Sequence, residues 1–169
     1  MPEDRENGLP PLLGDNPVVL ILGSFPSKMS LDRKLYYANP QNQFWRIMAA
    51  LFSFGNPGVI EVNSELLKLH HIAVWDVIAS RKFQPGSMDR DISDPEMNDI
   101  AGFIRNHPSI RFIGLNGGKA GECFRKLEHK GTIPDSLMIQ VLPSTSPANA
   151  TATLQRKREQ WKIILDYLY

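Results

Sequence analysis

Pro17-Val18-Val19-Leu20-Ile21-Leu22-Gly23 is a continuous apolar run bounded by a proline and a glycine. It shows no polar alternation, so it reads as a strand covered on both faces. Similar runs recur at Ile72-Ala73-Val74-Trp75, Ile110-Arg111-Phe112-Ile113-Gly114-Leu115 and Met138-Ile139-Gln140-Val141-Leu142. Helical spacing fills the intervals: Phe44, Ile47, Met48, Leu51 and Phe52; Met97, Ile100, Ala101 and Ile104; Ala120, Cys123, Phe124 and Leu127; and finally Leu154, Trp161, Ile164, Leu165 and Leu168. Strands alternating with helices imply right-handed crossovers, and hence an α/β fold. The expected architecture is a three-layer α/β/α sandwich with a central, mostly parallel four-stranded sheet. Residues 1–16 are polar and rich in proline and glycine, and read as a loose lead-in to a single domain over 17–169.

A chain of 169 residues is long enough to bury a substantial core without staples. The 42% hydrophobic and 22% charged fractions are those of an ordinary globular protein. One cysteine, Cys123, excludes an internal disulfide framework and a cysteine-rich metal site. It falls in a helical apolar pattern, as a core thiol would, and a reducing, cytoplasmic setting fits. No apolar run is long enough to span a bilayer, and the N-terminus lacks a signal-peptide pattern. A formal charge of +1 means that a nucleic-acid partner would require positive charge gathered on one face. Lys28-Arg33-Lys34 and Arg156-Lys157-Arg158 are the clusters present, and the second reads as a solvated helix face.

In parallel sheets ligands bind beyond the carboxyl ends of the strands. Four segments occupy those places: 23–30, 76–87, 116–119 and 143–150. Gly23-Ser24-Phe25-Pro26-Ser27 follows the first strand; its glycine spacing is neither a P-loop nor a dinucleotide fingerprint. Asp76 ends the second strand, as a buried acceptor or a catalytic carboxylate. Asn116 precedes Gly117-Gly118-Lys119, either as a helix N-cap or as a carboxamide that reads the edge of a base. Pro143-Ser144-Thr145-Ser146-Pro147-Ala148-Asn149-Ala150 offers hydroxyls that would cap a helix or grip a phosphate backbone.

The densest chemistry lies in Tyr36-Tyr37-Ala38-Asn39-Pro40-Gln41-Asn42-Gln43-Phe44-Trp45. Aromatic rings give a face to stack on, and carboxamides give both a donor and an acceptor. Those are the requirements for holding a flipped base beside an oriented water. Asn39 before Pro40 is equally a good N-cap with a first-turn proline, and pattern alone favours the cap.

As a set, Gly23-Ser24-Phe25-Pro26-Ser27, Tyr37-Ala38-Asn39-Pro40-Gln41-Asn42-Gln43-Phe44-Trp45 and Pro143-Ser144-Thr145-Ser146-Pro147 resemble the signature segments of the uracil-DNA glycosylase superfamily. The Ala-Asn-Pro-x-Asn-x-Phe-Trp core is similar to that of the mismatch-specific branch. With Trp75-Asp76 and Gly86-Ser87-Met88-Asp89, the whole pattern looks closest to the hypoxanthine-DNA glycosylase branch. The resemblance runs from about Val18 to Asn149. Two departures stand out: Phe25 where many members carry a water-activating Asn or Asp, and Leu142 where some carry a His. In the hypoxanthine branch the Asn of the Ala-Asn-Pro segment takes over, here Asn39.

The resemblance implies a monofunctional DNA repair glycosylase. It would hydrolyse the N-glycosidic bond of a deaminated base flipped out of DNA, with hypoxanthine ahead of uracil, and leave an abasic site. It implies no cofactor, no metal and no membrane, and a monomer is expected. Asn39 would orient water; Phe25, Tyr36, Tyr37 and Asn116 would bind the base; Ser24, Ser27, Ser144, Thr145, Ser146 and Asn149 would contact DNA. A non-catalytic damaged-DNA or nucleotide-binding domain of the same fold is the alternative, since Phe25 and Leu142 stand at the usual catalytic places. An unrelated α/β hydrolase ranks lower, because Ser24 and Ser27 form no nucleophile elbow.

Overall fold

A computed structural model describes residues 5–82, 92–127, 133–147 and 152–169. At its centre is a four-stranded sheet in which every neighbouring pair is parallel. Its strands are β2 (Val19–Gly23), β3 (Ile72–Asp76), β6 (Phe112–Asn116) and β7 (Met138–Leu142), in the order β3-β2-β6-β7. The β2 residues are all buried, as their unbroken apolar run requires of a strand with helices on both faces.

Strand pleat divides the core in two. Val19 and Ile21 of β2 and Ile72 and Val74 of β3 pack with α2 (Phe44–Phe52), α3 (Ile60–Leu69) and the C-terminal segment of Trp161 and Ile164. On the other face, Leu20, Leu22, Ala73, Ile113 and Leu115 meet α4 (Ile100–Asn106) and α5 (Gly118–Leu127). The expected α/β/α layering and parallel sheet are therefore present. The C-terminal helix is broken into α6 (Leu154–Trp161), a 3-10 turn over Lys162–Ile164, and α7 (Leu165–Leu168). Among the described residues no helix is long and apolar enough to cross a membrane.

Several local readings are corrected. The lead-in carries β1 (Arg5–Asn7), which pairs antiparallel with β4 (Ile78–Lys82), and β4 pairs in turn with β5 (Glu96–Met97). Leu12 exchanges both backbone hydrogen bonds with Val74, at 2.8 and 3.0 Å. Residues 5–12 are thus tied to the body by ladder bonds that a polar, proline-bearing sequence does not announce. Met97, expected on a helix, sits in β5, and α4 begins at Ile100 under an Asp99 cap. Helix α6 begins at Leu154, where Thr153 Oγ1 accepts from the Arg156 amide at 3.2 Å. Lys157, read as a solvated face, is 1% exposed and donates to Gln43 Oε1 at 2.7 Å.

A further short helix, α1 (Lys28–Arg33), follows β2. Ser27 caps it, its Oγ accepting from the Ser30 amide at 3.2 Å.

Candidate functional site

All four parallel strands end at one cavity of about 260 Å³. That volume lies just below the roughly 300–1,000 Å³ usual for drug-sized ligands, so it suits a single heterocycle. Its lining draws on each strand-end segment: Gly23 to Ser27 after β2, Asp76 at the end of β3, Asn116 at the end of β6, and Ser144 to Pro147 after β7. Ser30, Tyr36, Tyr37, Asn39 and Asn42 complete it. Of the residues proposed from sequence, Ser24, Phe25, Ser27, Tyr36, Tyr37, Asn39, Asn116, Ser144, Thr145 and Ser146 all line this one space. Asn149 and Gly86-Ser87-Met88-Asp89 lie outside the described residues. Leu142 is buried in the core, with its Cδ1 against Gly114.

The Tyr36–Asn42 segment is held from three sides. Trp45 Nε1 donates to the Tyr36 carbonyl at 2.9 Å. The buried Ser30 Oγ accepts from the Ala38 amide and from Ser27 Oγ, both at 3.1 Å. Tyr37, between these anchors, adopts a left-handed backbone with φ 53°. That conformation is unfavourable for a bulky residue and is kept only where the surroundings enforce it. Its ring stacks on Phe44 at 4.2 Å and 28°.

Tyr36 differs from its neighbour. It is 7% exposed, and its hydroxyl donates to the Pro10 carbonyl at 2.9 Å. Burial, with the Asp76 and Tyr37 charges adding to it, pushes the Tyr36 phenol far above the usual tyrosine range. It stays a neutral donor throughout the working pH range, with its hydroxyl bonded to backbone carbonyls of the N-terminal segment.

Asn39 does not cap α2. Its Oδ1 accepts from the Gln41 amide and its carbonyl from the Asn42 amide, each at 2.9 Å, which closes a turn. Asn42 Oδ1 accepts from Phe44 N at 2.9 Å, while Gln43 holds the N-cap position and makes no side-chain capping bond. An amide oxygen has two lone pairs, so the turn leaves Asn39 acceptor capacity toward the cavity.

Asn116 does not cap α5 either. Its Oδ1 accepts from the Thr145 amide and its Nδ2 donates to Thr145 Oγ1, both at 3.0 Å. Thr145 is 1% exposed and faces inward, unlike the half-buried Ser144 and Ser146. Its carbonyl accepts from Gln43 N at 2.9 Å, which joins the loop after β7 to the start of α2. Ser24, expected on DNA, is buried, and Ser27 is the cap of α1.

Asp76, read from sequence as either a buried acceptor or a catalytic carboxylate, lines the cavity, as does Ser30, which the sequence did not single out. Asp76 is 4% exposed and pairs in register with Gly23, where an added Cβ would lie 2.6 Å from its Oδ1 and 3.1 Å from Tyr37 Oη. Its place at a strand end was the available signal. Ser30 carried only its spacing from Ser27.

A parallel-sheet fold with an aromatic and amide-lined cavity at its carboxyl edge defines the class of open α/β proteins whose sites lie beyond the carboxyl ends of the strands. The Uracil DNA glycosylase superfamily profile matches residues 10–168, and the chain belongs to that superfamily. A Methanosarcina acetivorans protein named hypoxanthine DNA glycosylase is 36% identical over 160 residues, covering 94% of this chain and 97% of its own. One of the same name from Methanosarcina barkeri is 31% identical over 154 residues, covering 90% and 94%. A G/U mismatch-specific uracil DNA glycosylase from Schizosaccharomyces pombe is 25% identical over 129 residues, covering 73% and 38%. A Methanosarcina acetivorans structure solved by solution NMR, described as a candidate uracil DNA glycosylase, superposes with TM-score 0.80 at 32% identity, covering 97% and 98%.

Proposed function

We propose that this protein is a monofunctional DNA glycosylase that removes a deaminated base, hypoxanthine foremost, from DNA. The single observation that carries the reading is the cavity that gathers Phe25, Tyr37, Asn39 and Asn116 from three separate segments at the carboxyl edge of the sheet. Full-length relatives named hypoxanthine DNA glycosylase support the choice of base. An intracellular, monomeric protein is the corresponding expectation.

Cleavage of an N-glycosidic bond develops an oxocarbenium-like sugar and an anionic base. Fixed donors that meet the departing base are the natural lever. In this reading Tyr37 stacks on the flipped base, with its ring backed by Phe44, and amides near Phe25 meet a carbonyl of the base. Asn39 orients water through its amide oxygen. A carboxamide does not take a proton at neutral pH, so water is positioned and becomes acidic only as the sugar cation forms. Asn116 has one amide proton and one lone pair beyond its Thr145 bonds, which are what it offers the base edge. Ser144 and Ser146 contact phosphate, while Thr145 holds their loop.

Phe25 and Leu142 at the usual catalytic places favour a second reading, a domain that binds damaged DNA without releasing a base. Duplexes containing deoxyinosine, deoxyuridine or xanthine, incubated with the protein and then treated with alkali, separate the two. Strand breakage at deoxyinosine supports the first, and breakage at deoxyuridine alone moves the chain toward uracil excision. Binding with no breakage on any of the three supports the second.

A further inference from the structure

Arg81 lies on β4, in the small second sheet, and is 1% exposed. Its guanidinium carbon sits 4.6 Å from the centroid of the Phe25 ring. Its Nε donates to Glu6 Oε1 at 3.0 Å, and Glu6 is its cross-strand partner on β1. Just past β1, Gly8 donates to the Ala79 carbonyl at 2.8 Å, and a Cβ on Gly8 would lie 3.5 Å from Phe25 Cε1. The N-terminal strand therefore closes on the same ring twice, once through a charged pair and once through its own backbone.

A buried ion pair is a costly way to fill space, and apolar residues of similar volume often stabilise a fold as well or better. A planar cation against an aromatic face does something a methyl group does not, because it selects one orientation of the ring. The ring selected here is a wall of the cavity. We propose that Arg81 is a positioning residue for base excision, acting through Phe25, and that β1 is part of the support of the site by way of Glu6. The inference rests on the reading that the cavity receives the flipped base.

A double-mutant cycle tests it: Arg81→Met, Phe25→Leu and both together, with Arg81→Lys as the conservative variant. The readouts are the single-turnover rate of hypoxanthine release at saturating enzyme and the affinity for a duplex carrying a non-hydrolysable 2′-fluoro deoxyinosine analogue. Arg81→Met is expected to lower the rate about tenfold, the cost of a slightly misplaced wall, with affinity changed by less than about twofold. Arg81→Lys recovers part of the rate. On the Phe25→Leu background, Arg81→Met changes the rate by less than about twofold, because its route of action is gone. Should Arg81→Met fail to fold, Arg81→Met with Glu6→Gln removes the pair whole and takes its place in the cycle. Equal rate losses on both backgrounds, or no loss on either, overturn the inference while leaving the glycosylase reading intact. An unaltered protein that releases no base overturns both.

Discussion

Asn116 and Thr145 grip each other at both ends of one carboxamide, 29 residues apart in the chain. The pair joins the end of β6 to the loop after β7 and fixes the floor of the cavity. Thr145→Val keeps the shape and leaves Asn116 Nδ2 without its acceptor, at a cost of about 1–3 kcal/mol. We expect a lower melting temperature and slower base release with unchanged preference among bases. Asn116→Ala should lower both and, if the carboxamide also meets the base, alter the ratio of inosine to uracil excision. Melting curves and single-turnover rates on the two substrates distinguish the outcomes.

Asn39→Ala removes the oriented amide oxygen and the acceptor of the Gln41 amide together. Loss of a group of this kind costs on the order of a hundredfold or more in rate. Affinity for the duplex should change little. Asn39→Asp retains an acceptor for both the turn and the water and should keep more activity than the alanine variant. Equal activity in Asn39→Ala and the parent would remove Asn39 from the mechanism.

Gly23→Ala introduces a Cβ into the space shared by Asp76 and Tyr37. Backbone is fixed there by pairing with β3, so the carboxylate and the phenol must move. Overpacking of this kind costs about 1–3 kcal/mol, and base release should fall as well. Gly121→Ala is the control. Its Cβ would meet the half-exposed Val141, away from the cavity, and should lower stability without lowering the rate of the folded enzyme.

Tyr36 makes stability decline at high pH. Its folded phenol titrates far above the unfolded one, chiefly through burial. The contribution is complete below the ordinary tyrosine pKa of about 10 and is lost as pH rises beyond it, because only the unfolded chain then releases the proton. Tyr36→Phe gives up the hydrogen bond to Pro10, about 1 kcal/mol, and flattens the alkaline decline. Urea unfolding from pH 8 to pH 11 reads both effects.

Strands β2, β3 and β6 were legible because they are buried on two faces, which leaves apolar runs without alternation, and the edge strand β7 keeps such a run although most of it is exposed. Strands β1 and β5 were not: three and two residues are too few for a period, and Arg5–Lys82 pairing links distant parts of the chain. In α3, buried Asn63 and Ser64 blur the apolar stripe. The site was legible as a set of residue types at strand ends, but their partners were not. Nothing local says that Asn116 spends its amide on Thr145, or that Lys157, inside a basic triplet, is buried against Gln43. Those facts depend on contacts made only after the layers assemble.

Ser30 joins the cap of α1 to the amide of Ala38, and so makes one hydroxyl common to two stretches of chain that approach the cavity separately. Neither stretch is a portable module. A graft of the tyrosine-asparagine turn onto another scaffold would arrive unregistered unless the serine and its helix travelled with it.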